Sequence, residues 1–173
     1  MAVSQGRRSR SWRNGNLAAR RYQWANPDAK QSTWHEDVHM HIDFWHDDRG
    51  VDVKGNNLPN EIWVEFKNVR GDLGWLFGEA EWIAFDMPEV CGFVVVDRVD
   101  LKQWCYENVN FDMLVPKDKA YKRCYRRKDR EDLITKVALS DLQQLESYRV
   151  VPYCTSYSHP NGGVCYVTDS TIS

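Results

Sequence analysis

Alternating apolar and polar positions predict strands through the middle of the chain. The clearest alternation runs over residues 61–69, where Ile62, Val64 and Phe66 fall on one side of an extended segment. Turn-forming residues punctuate the neighbouring apolar runs, as expected for short strands joined by tight connections. Further strands are predicted over residues 41–45, 51–54, 82–85 and 93–96.

Helical periodicity is confined to shorter segments, predicted over residues 16–26, 33–40 and 97–109. Strands interleaved with helices predict an α/β (α+β) fold with a mixed central sheet flanked by helices. At 173 residues the chain is long enough for one domain. We expect a flexible basic arm over 1–15 and a single domain over 16–173. Its core would span 33–110, followed by a basic hairpin or helix over 117–139, with the hairpin preferred.

Composition narrows the class of protein. No apolar run approaches the roughly 20 residues of a membrane span, and the basic N-terminus does not lead into an apolar stretch. The five cysteines are an odd number without a CxxC pair, so neither a disulfide scaffold nor a cysteine-based zinc module is expected. These features predict a cytoplasmic protein without a membrane partner.

Charge is distributed unevenly along the chain. Residues 1–27 contain six arginines and no acid, residues 28–116 contain eighteen acids and seven bases, and residues 117–130 contain eight bases and two acids. An acidic middle between basic segments is typical of enzymes that act on nucleic acid, because bases hold phosphates and acids hold a divalent cation. The candidates for phosphate contacts are Arg20, Arg21, Arg123, Arg126 and Arg127.

The candidate chemistry lies in the segment HIDFWHDDRGVDVKG, residues 41–55. If its turn is centred on 47–50, position 46 pairs with 51 and position 43 with 54. Side chains on one face of a strand recur every two residues, so Asp43, Asp52 and Lys54 would project from the same face. Two converging carboxylates repel unless a cation separates them, and oxygen ligands suit Mg²⁺, with Mn²⁺ as a substitute.

Lys54 would complete this site. An ammonium beside the metal can orient or help deprotonate an attacking water, or neutralise a transition-state phosphate. The three side chains are minimal equipment for metal-assisted phosphodiester hydrolysis. The plain alternative is that Asp52 and Lys54 form a solvent-exposed ion pair of little energetic consequence. Asp47 and Asp48 are interpreted as ordinary turn formers.

This arrangement resembles the PD-(D/E)XK nuclease superfamily, which has the restriction-endonuclease-like fold. Asp43 matches the acid of the first strand and Asp52-Val53-Lys54 matches the D-x-K triplet, although Ile42 stands where the family's proline would be. The resemblance implies that Glu36, on the preceding helix, is an auxiliary acid. It covers roughly residues 34–104, where the wider sequence is similar to small phage-encoded members.

A second alignment of the same motif stays open. Glu65-Phe66-Lys67 is also an E-x-K triplet, and its spacing from Asp52 is similar to that of archaeal Holliday junction resolvases. In that alignment Asp52 and Glu65 would hold the metal and Lys67 would be the catalytic lysine. The first alignment is favoured because the hairpin makes its three side chains co-facial, and Glu65 could then contribute as an acid from a neighbouring strand.

The resemblance implies a Mg²⁺-dependent deoxyribonuclease, phage-encoded and acting in the host cytoplasm, with an endonuclease favoured over an exonuclease. The catalytic candidates are then Asp43, Asp52, Lys54, Glu36, Glu65 and Lys67, with Asp43, Asp52 and Glu65 as metal ligands. DNA is the expected partner, and a homodimer would allow both strands to be cut. The alternative is a non-catalytic nucleic-acid-binding or host-takeover protein on the same fold.

Two other patterns have competing interpretations. His35-Glu36-Asp37-Val38-His39 matches the HExxH pattern of zinc proteases by letter, but a protease would need a third ligand and a longer helix. Residues 75–77 (Trp-Leu-Phe) could stack on bases, although an apolar run of this kind usually belongs to the core.

Overall fold

A computed structural model describes residues 10–56 and 58–153 of the chain. Three α-helices lie in these ranges: α1 (Arg10–Ala25), α2 (Arg98–Asn108) and α3 (Leu139–Leu142). The strands in the same ranges, in chain order, are β1 (Lys30–Gln31), β2 (Phe44–His46), β3 (Arg49–Gly55), β4 (Glu61–Lys67), β5 (Trp82–Met87), β6 (Gly92–Asp97), β7 (Asn110–Leu114), β8 (Arg123–Cys124), β9 (Leu133–Ala138) and β10 (Arg149–Pro152).

Six of these strands form one mixed sheet in the order β1-β2-β3-β5-β6-β10. The pair β3–β5 is parallel, and the other neighbours in this sheet are antiparallel. Within the described residues, β4–β9 and β7–β8 form two separate pairs. The predicted mixed α/β class with a mixed central sheet is therefore confirmed.

The two faces of the main sheet have different covers. Helix α1 packs Ala18 and Tyr22 against Val51 and Val53 of β3 on one face. On the other face, apolar side chains of the β4–β9 pair and of α2 pack against β5 and β6. Because side chains alternate along a strand, Asp52 and Lys54 of β3 point away from α1, toward the β4–β9 layer. This alternation puts a charged pair inside the molecule.

The β2–β3 hairpin is tighter than predicted. Asp47 and Asp48 have φ values of 50° and 59°, as the two-residue type I′ turn requires. Phe44 therefore pairs with Val51, and His46 with Arg49. The predicted register, with 46 opposite 51, was wrong by two residues. A shift of two preserves the face of every side chain, so the prediction that Asp43 and Asp52 share a face survives the error.

Strand β4 has the predicted alternation, with Ile62, Val64 and Phe66 buried and the intervening side chains partly or fully exposed. It does not lie beside β3 in the main sheet. β4 pairs antiparallel with β9, which lies about seventy residues later, and β5 takes the place beside β3. In this second layer Ile62 and Val64 are buried against the main sheet.

The helices extend beyond or fall short of their predicted bounds. α1 begins at Arg10, so part of the predicted flexible arm is helical, while residues 1–9 lie outside the described residues. The predicted helix over 33–40 is a short helical segment in which Glu36–Met40 has π-helical geometry. α2 is confirmed, and the side chain of Asp97 caps it by accepting from the backbone N–H groups of Val99 and Asp100. The predicted tail beyond residue 153 lies outside the described residues.

The basic segment over residues 120–139 folds back on itself at an antiparallel bridge between Tyr125 and Ile134, while its strands pair elsewhere, β8 with β7 and β9 with β4. Tyr125 and Ile134 exchange both backbone hydrogen bonds, at 2.8 and 3.0 Å. Buried Asp132 fixes the tip, since it accepts from both the backbone N–H and the Nε of Arg127. We call residues 120–139 the basic hairpin.

Arg21 was predicted to contact phosphate, but this prediction is wrong, because its side chain is not accessible to DNA. Its side chain is buried, and its Nη1 lies 2.6 Å from Oδ2 of buried Asp86. The hydroxyl of Tyr153 donates to the other oxygen of the same carboxylate. A guanidinium held in this way neutralises an interior charge and ties α1 to the main sheet.

Two further features bear on the sequence predictions. Cys105 and Cys124 have buried free thiols, whereas Cys91 is disulfide-bonded, which the sequence analysis did not expect. None of the helices in the described ranges is both long enough and apolar enough to cross a bilayer.

The Arg21–Asp86 pair generates a stability prediction with a neighbouring control. We expect Arg21→Ala to lower the free energy of unfolding by about 3–5 kcal/mol, because it leaves the Asp86 carboxylate buried without its cation. Arg20 is the adjacent residue on α1 and is exposed, so Arg20→Ala should stay within about 0.5 kcal/mol of the parent. Urea denaturation measures both; equal effects would contradict the assignment.

Candidate active site

The side chains of Asp43, Asp52 and Lys54 converge on the inner face of the β2–β3 hairpin. Nζ of Lys54 lies 2.7 Å from Oδ1 of Asp52, which is only 2% exposed. Asp43 precedes β2, and its Oδ2 accepts a hydrogen bond from the backbone N–H of Val53 at 2.6 Å. The carboxylate thus binds the backbone of β3 between the other two residues. The three side chains that the sequence analysis grouped are brought together.

Local backbone geometry brings Asp43 into this position. The π-helical turn ends at His41, whose φ of 57° and ψ of 47° are left-handed. This conformation is uncommon for a residue other than glycine and reverses the chain direction before β2. The backbone N–H of Asp43 then bonds to the carbonyl of Val51 at 2.8 Å, which extends the hairpin by one residue.

Two carboxylates share one ammonium in this cluster. Burial and the neighbouring Asp52 raise the pKa of Asp43 to about 6. Burial also raises the pKa of Asp52, while the Lys54 ammonium opposes that rise. Burial by itself would lower the pKa of Lys54, but the two aspartates raise it above its ordinary value. The cluster with both acids ionised therefore has an excess of negative charge in a poorly hydrated place.

One oxygen of this cluster has no partner among the described residues. With both acids ionised, Oδ2 of Asp52 is fully buried and accepts no hydrogen bond, whereas a protonated Asp43 can donate to the Asp52 carboxylate. Buried polar atoms in native proteins are nearly always hydrogen-bonded or bound to an ion, so such an atom requires an explanation. It lies on the carboxylate whose other oxygen already binds Lys54.

Asp37 and His41 surround the cluster on the side of the π-helical turn. Burial and Asp43 raise the pKa of Asp37, whereas burial and Lys54 lower the pKa of His41. Both residues thus respond to the charges of the cluster. Asp37 was not among the candidates predicted from the sequence.

Glu65 approaches the cluster from the second layer. Burial raises the pKa of Glu65, and the nearby cations Lys54 and Arg127 oppose the rise. The connection after β4 packs tightly here: a Cβ on Gly74 would lie 2.4 Å from the carbonyl oxygen of Glu65. Glycine at position 74 therefore allows the 3₁₀ turn Trp75–Phe77 to sit against β4.

A cleft of about 520 Å³ opens beside Lys54. The end of β3, strand β4, the 3₁₀ turn and the basic hairpin form its walls. The charged residues along it are Lys54, Glu65, Lys117 and Arg127. The aromatic residues along it are Trp63, Trp75, Phe85 and Tyr125. The cluster and the cleft share Lys54, so a molecule bound in the cleft would meet the cluster at this ammonium.

Glu36 and Lys67 are not brought to the cluster. The Glu36 carboxylate is exposed and accepts from the backbone and hydroxyl of Thr33 and from Nε1 of Trp45. These Thr33 bonds lower its pKa and begin the helical segment. Lys67 is exposed at the end of β4, and no ion pair joins it to a carboxylate of the described ranges.

The arginines of the basic hairpin differ in availability. Arg123 and Arg126 are exposed, with Arg126 3.9 Å from Glu131. Arg127 is half-buried, forms an ion pair with Asp132 and lines the cleft. Arg20 is exposed on α1. These four remain candidates for phosphate contacts, and Lys117, which the sequence analysis did not single out, joins them.

The HExxH match does not produce a zinc site in the described part of the chain. The rings of His35 and His39 lie 4.7 Å apart, centroid to centroid, and Glu36 is engaged with Thr33. No group of three or more His, Cys, Asp or Glu side chains within residues 10–56 and 58–153 is arranged to hold a metal ion. Zinc in proteins takes three or four such ligands, so this segment lacks the set that a metalloprotease needs.

A hard cation with fewer protein ligands fits the cluster better. Mg²⁺ typically binds through one or two carboxylates and keeps waters or substrate phosphates as its other ligands. The unpaired Oδ2 of Asp52, beside the excess negative charge shared with Asp43, is the type of donor that such an ion uses. Asp43 and Asp52 are therefore the two carboxylates that could bind Mg²⁺, and Glu65, a predicted metal ligand, does not form a three-ligand group with them in the described residues.

The aromatic and basic lining of the cleft was largely missed at the level of sequence. Trp63 and Tyr125 come from β4 and the basic hairpin, sixty-two positions apart, and only the β4–β9 pairing brings them together. The sequence gives only a weak indication that Asp37 belongs near the site: it is adjacent to Glu36, the auxiliary acid that the family resemblance implied.

Comparison with known proteins identifies no relative. The chain matches no protein-family model, and searches of curated proteins and of solved structures find no match to it.

The raised pKa of Asp43 predicts how the metal-free protein responds to pH. Between its ordinary pKa of 3.8 and about 6, the folded protein binds more protons at this carboxyl than the unfolded chain does. This group therefore lowers stability as pH rises through that window, and the loss persists above it. We expect Asp43→Asn to be more stable than the parent by about 1–3 kcal/mol well above pH 6, and to match it near pH 3.8.

Urea denaturation in EDTA, at several pH values, measures this difference. The matched control is Asp48→Asn, an exposed turn carboxylate on the same hairpin, which should leave the pH dependence of stability unchanged. A parent protein that stays more stable than Asp43→Asn across the whole range would contradict the picture of an electrostatically frustrated pair.

Proposed function

We propose that this protein is a Mg²⁺-dependent deoxyribonuclease that hydrolyses phosphodiester bonds, more as an endonuclease than as an exonuclease. The observation that carries the proposal is the buried, unpartnered Oδ2 of Asp52 beside Asp43, with Lys54 on the same face. Structural ion pairs satisfy their buried oxygens, whereas a site made for a cation keeps an oxygen open for it.

In this proposal Asp43 and Asp52 hold the ion, which supplies Lewis-acid stabilisation of charge on the scissile phosphate. The hydrogen bond from Val53 and the ion pair with Lys54 fix the two carboxylates in place, so that little reorganisation is needed. The Lys54 ammonium, at the mouth of the cleft, positions the attacking water or neutralises the phosphate. Glu65 is placed to accept a proton, because burial raises its pKa.

The restriction-endonuclease-like core belongs to the proposal rather than to the observed architecture. A helical turn followed by the β2–β3 hairpin, with an acid before one strand and D-x-K on the next, supports it. The position of β4 in the second layer counts against a restriction-endonuclease-like core in which β2, β3 and β4 are neighbours in one sheet. Of the two motif alignments, the convergence of Asp43, Asp52 and Lys54 favours the first.

A non-catalytic nucleic-acid-binding protein is the second candidate. The observation in its favour is the Lys54–Asp52 ion pair itself, because the ammonium already occupies one oxygen that a metal could use. The charge and aromatic lining of the cleft would serve binding alone equally well.

A plasmid-nicking assay separates the two functions. We expect cleavage with Mg²⁺ or Mn²⁺, none in EDTA, and a loss of at least about a hundredfold in Asp52→Asn, because removing a ligand that holds a catalytic ion removes most of its charge stabilisation. Asp48→Asn, which changes an exposed turn carboxylate, should cleave like the parent. Unchanged EDTA-sensitive cleavage in Asp52→Asn would show that the site is wrong. No cleavage of any DNA by the folded parent would favour the binding protein.

The two lysines test the two alignments of the motif. We expect Lys54→Ala to abolish cleavage while keeping a Mg²⁺-induced rise in melting temperature, because removing the ammonium leaves both carboxylates free for the ion. Lys67→Ala, on the exposed end of β4, should retain cleavage. The reverse result would assign the catalytic lysine to position 67. Thermal melts with and without Mg²⁺ also show whether each variant is folded.

A further inference from the structure

The aromatic lining of the cleft is unusual for a site that handles only phosphates. The rings of Trp63 and Tyr125 lie 6.0 Å apart between centroids, and both side chains are only partly buried. Nζ of Lys54 lies 5.2 Å from the centroid of the Trp75 ring. Phosphate contacts need only cations and N–H donors, so these ring faces indicate a ligand that has a flat, apolar surface of its own.

Cations stand beside the rings. Arg127 and Lys117 line the same cleft, and Nζ of Lys136 lies 5.5 Å from the Trp63 ring centroid. Arg127 is held in place because its backbone N–H and its Nε both bond to buried Asp132. Lys54, Arg127 and Lys136 are each paired with a carboxylate, and Glu65 also lines the cleft, so the cleft has cations but little net charge. Cations interleaved with aromatic rings are the general form of a surface that follows a single nucleic-acid strand.

The cleft is also too small for a double helix. Its volume of about 520 Å³ falls in the range that holds one small ligand, roughly 300–1,000 Å³. In a duplex the base faces are stacked on one another and cannot reach protein rings, whereas an unpaired base offers its face freely. The rings can therefore be used only by a nucleotide that is not paired.

We propose that the cleft takes an unpaired nucleotide of single-stranded DNA, with its base on Trp63 and Tyr125 and its phosphates toward Arg127 and Lys117. This inference rests on the proposed function and names its substrate class: single strands, unpaired ends or flaps. Since Lys54 belongs to both the cleft and the carboxylate cluster, the phosphodiester next to the stacked base would lie beside Asp43 and Asp52.

Binding in EDTA tests the inference without catalysis. Fluorescence anisotropy of a short labelled oligothymidylate should show binding by the full-length parent, and unlabelled single strand should compete better than a blunt duplex of equal length. Trp63→Ala and Tyr125→Ala should each weaken the affinity at least about fivefold, because base–aromatic stacking contributes that much or more. Trp63→Phe should keep most of the affinity, since it retains a ring.

The matched controls are aromatic residues outside the cleft. Trp34 and Tyr106 are more exposed than their counterparts, at 72% and 54%, and Trp34→Ala and Tyr106→Ala should bind like the parent. If Trp63→Ala does not fold by circular dichroism, Tyr125→Ala compared with Tyr125→Phe carries the test. Equal competition by duplex, or unchanged affinity in folded Trp63→Ala and Tyr125→Ala, would overturn the inference.

The inference and the proposed function fail in different ways. Ring-dependent binding of the oligothymidylate without any Mg²⁺-dependent cleavage would support the cleft assignment and reject the nuclease. Mg²⁺-dependent cleavage of closed duplex DNA without oligothymidylate binding would reject the cleft assignment and support the nuclease.

Discussion

The charged cluster of the β2–β3 hairpin is the constraint on which the candidate site depends, because buried Asp52 and half-buried Asp43 share a single ammonium. Lys54 neutralises Asp52 at 2.7 Å, while Asp43 is stabilised by the charge of Lys54 and by the backbone N–H of Val53. Such an arrangement is costly in the metal-free protein, and burial raises the pKa of both acids accordingly. One ammonium balances only one acid, so a proton on Asp43 or a further cation is needed to neutralise the second.

The surrounding fold makes this costly arrangement possible. β3 is an interior strand of the main sheet, with β2 on one side and β5 on the other, so its backbone cannot move to relieve the charge. α1 covers the apolar face of β3 through Ala18 and Tyr22, which forces Asp52 and Lys54 onto the inner face. Because β4 pairs with β9 in the second layer, space remains in front of these side chains. Trp63 and Glu65 of β4 therefore line the cleft and are not neighbours of β3 in the sheet.

Local patterns in the sequence correctly predicted two features of the hairpin: which side chains share a face, and where the turn lies. The co-facial placement of Asp43 and Asp52 follows from the two-residue repeat of a strand, and it withstood a register error because that error was an even number of residues. The tight turn follows from consecutive aspartates, which tolerate positive φ better than most residues.

Long-range choices could not be predicted in this way. Nothing in the alternation of β4 distinguishes pairing with β3 from pairing with β9, because both would bury Ile62, Val64 and Phe66. Similarly, Arg20 and Arg21 are adjacent on one helix, and only the fold decides that the second meets buried Asp86 while the first faces water. Charge runs predict that a surface is basic, but not which of its cations are already committed to interior acids.

The same distinction bears on which lysine would serve the proposed phosphodiester chemistry. A lysine is useful beside a phosphate only if its ammonium is held near the reacting atoms, and holding it requires oppositely charged neighbours. Lys54 has them: Asp52 and Asp43 raise its pKa despite its burial, and Glu65 reinforces them from across the cleft. Lys67 has none of these neighbours and projects from an exposed strand end. Glu65, which belongs to the second alignment of the motif, therefore interacts electrostatically with Lys54 of the first. The two alignments thus describe overlapping parts of one charged centre.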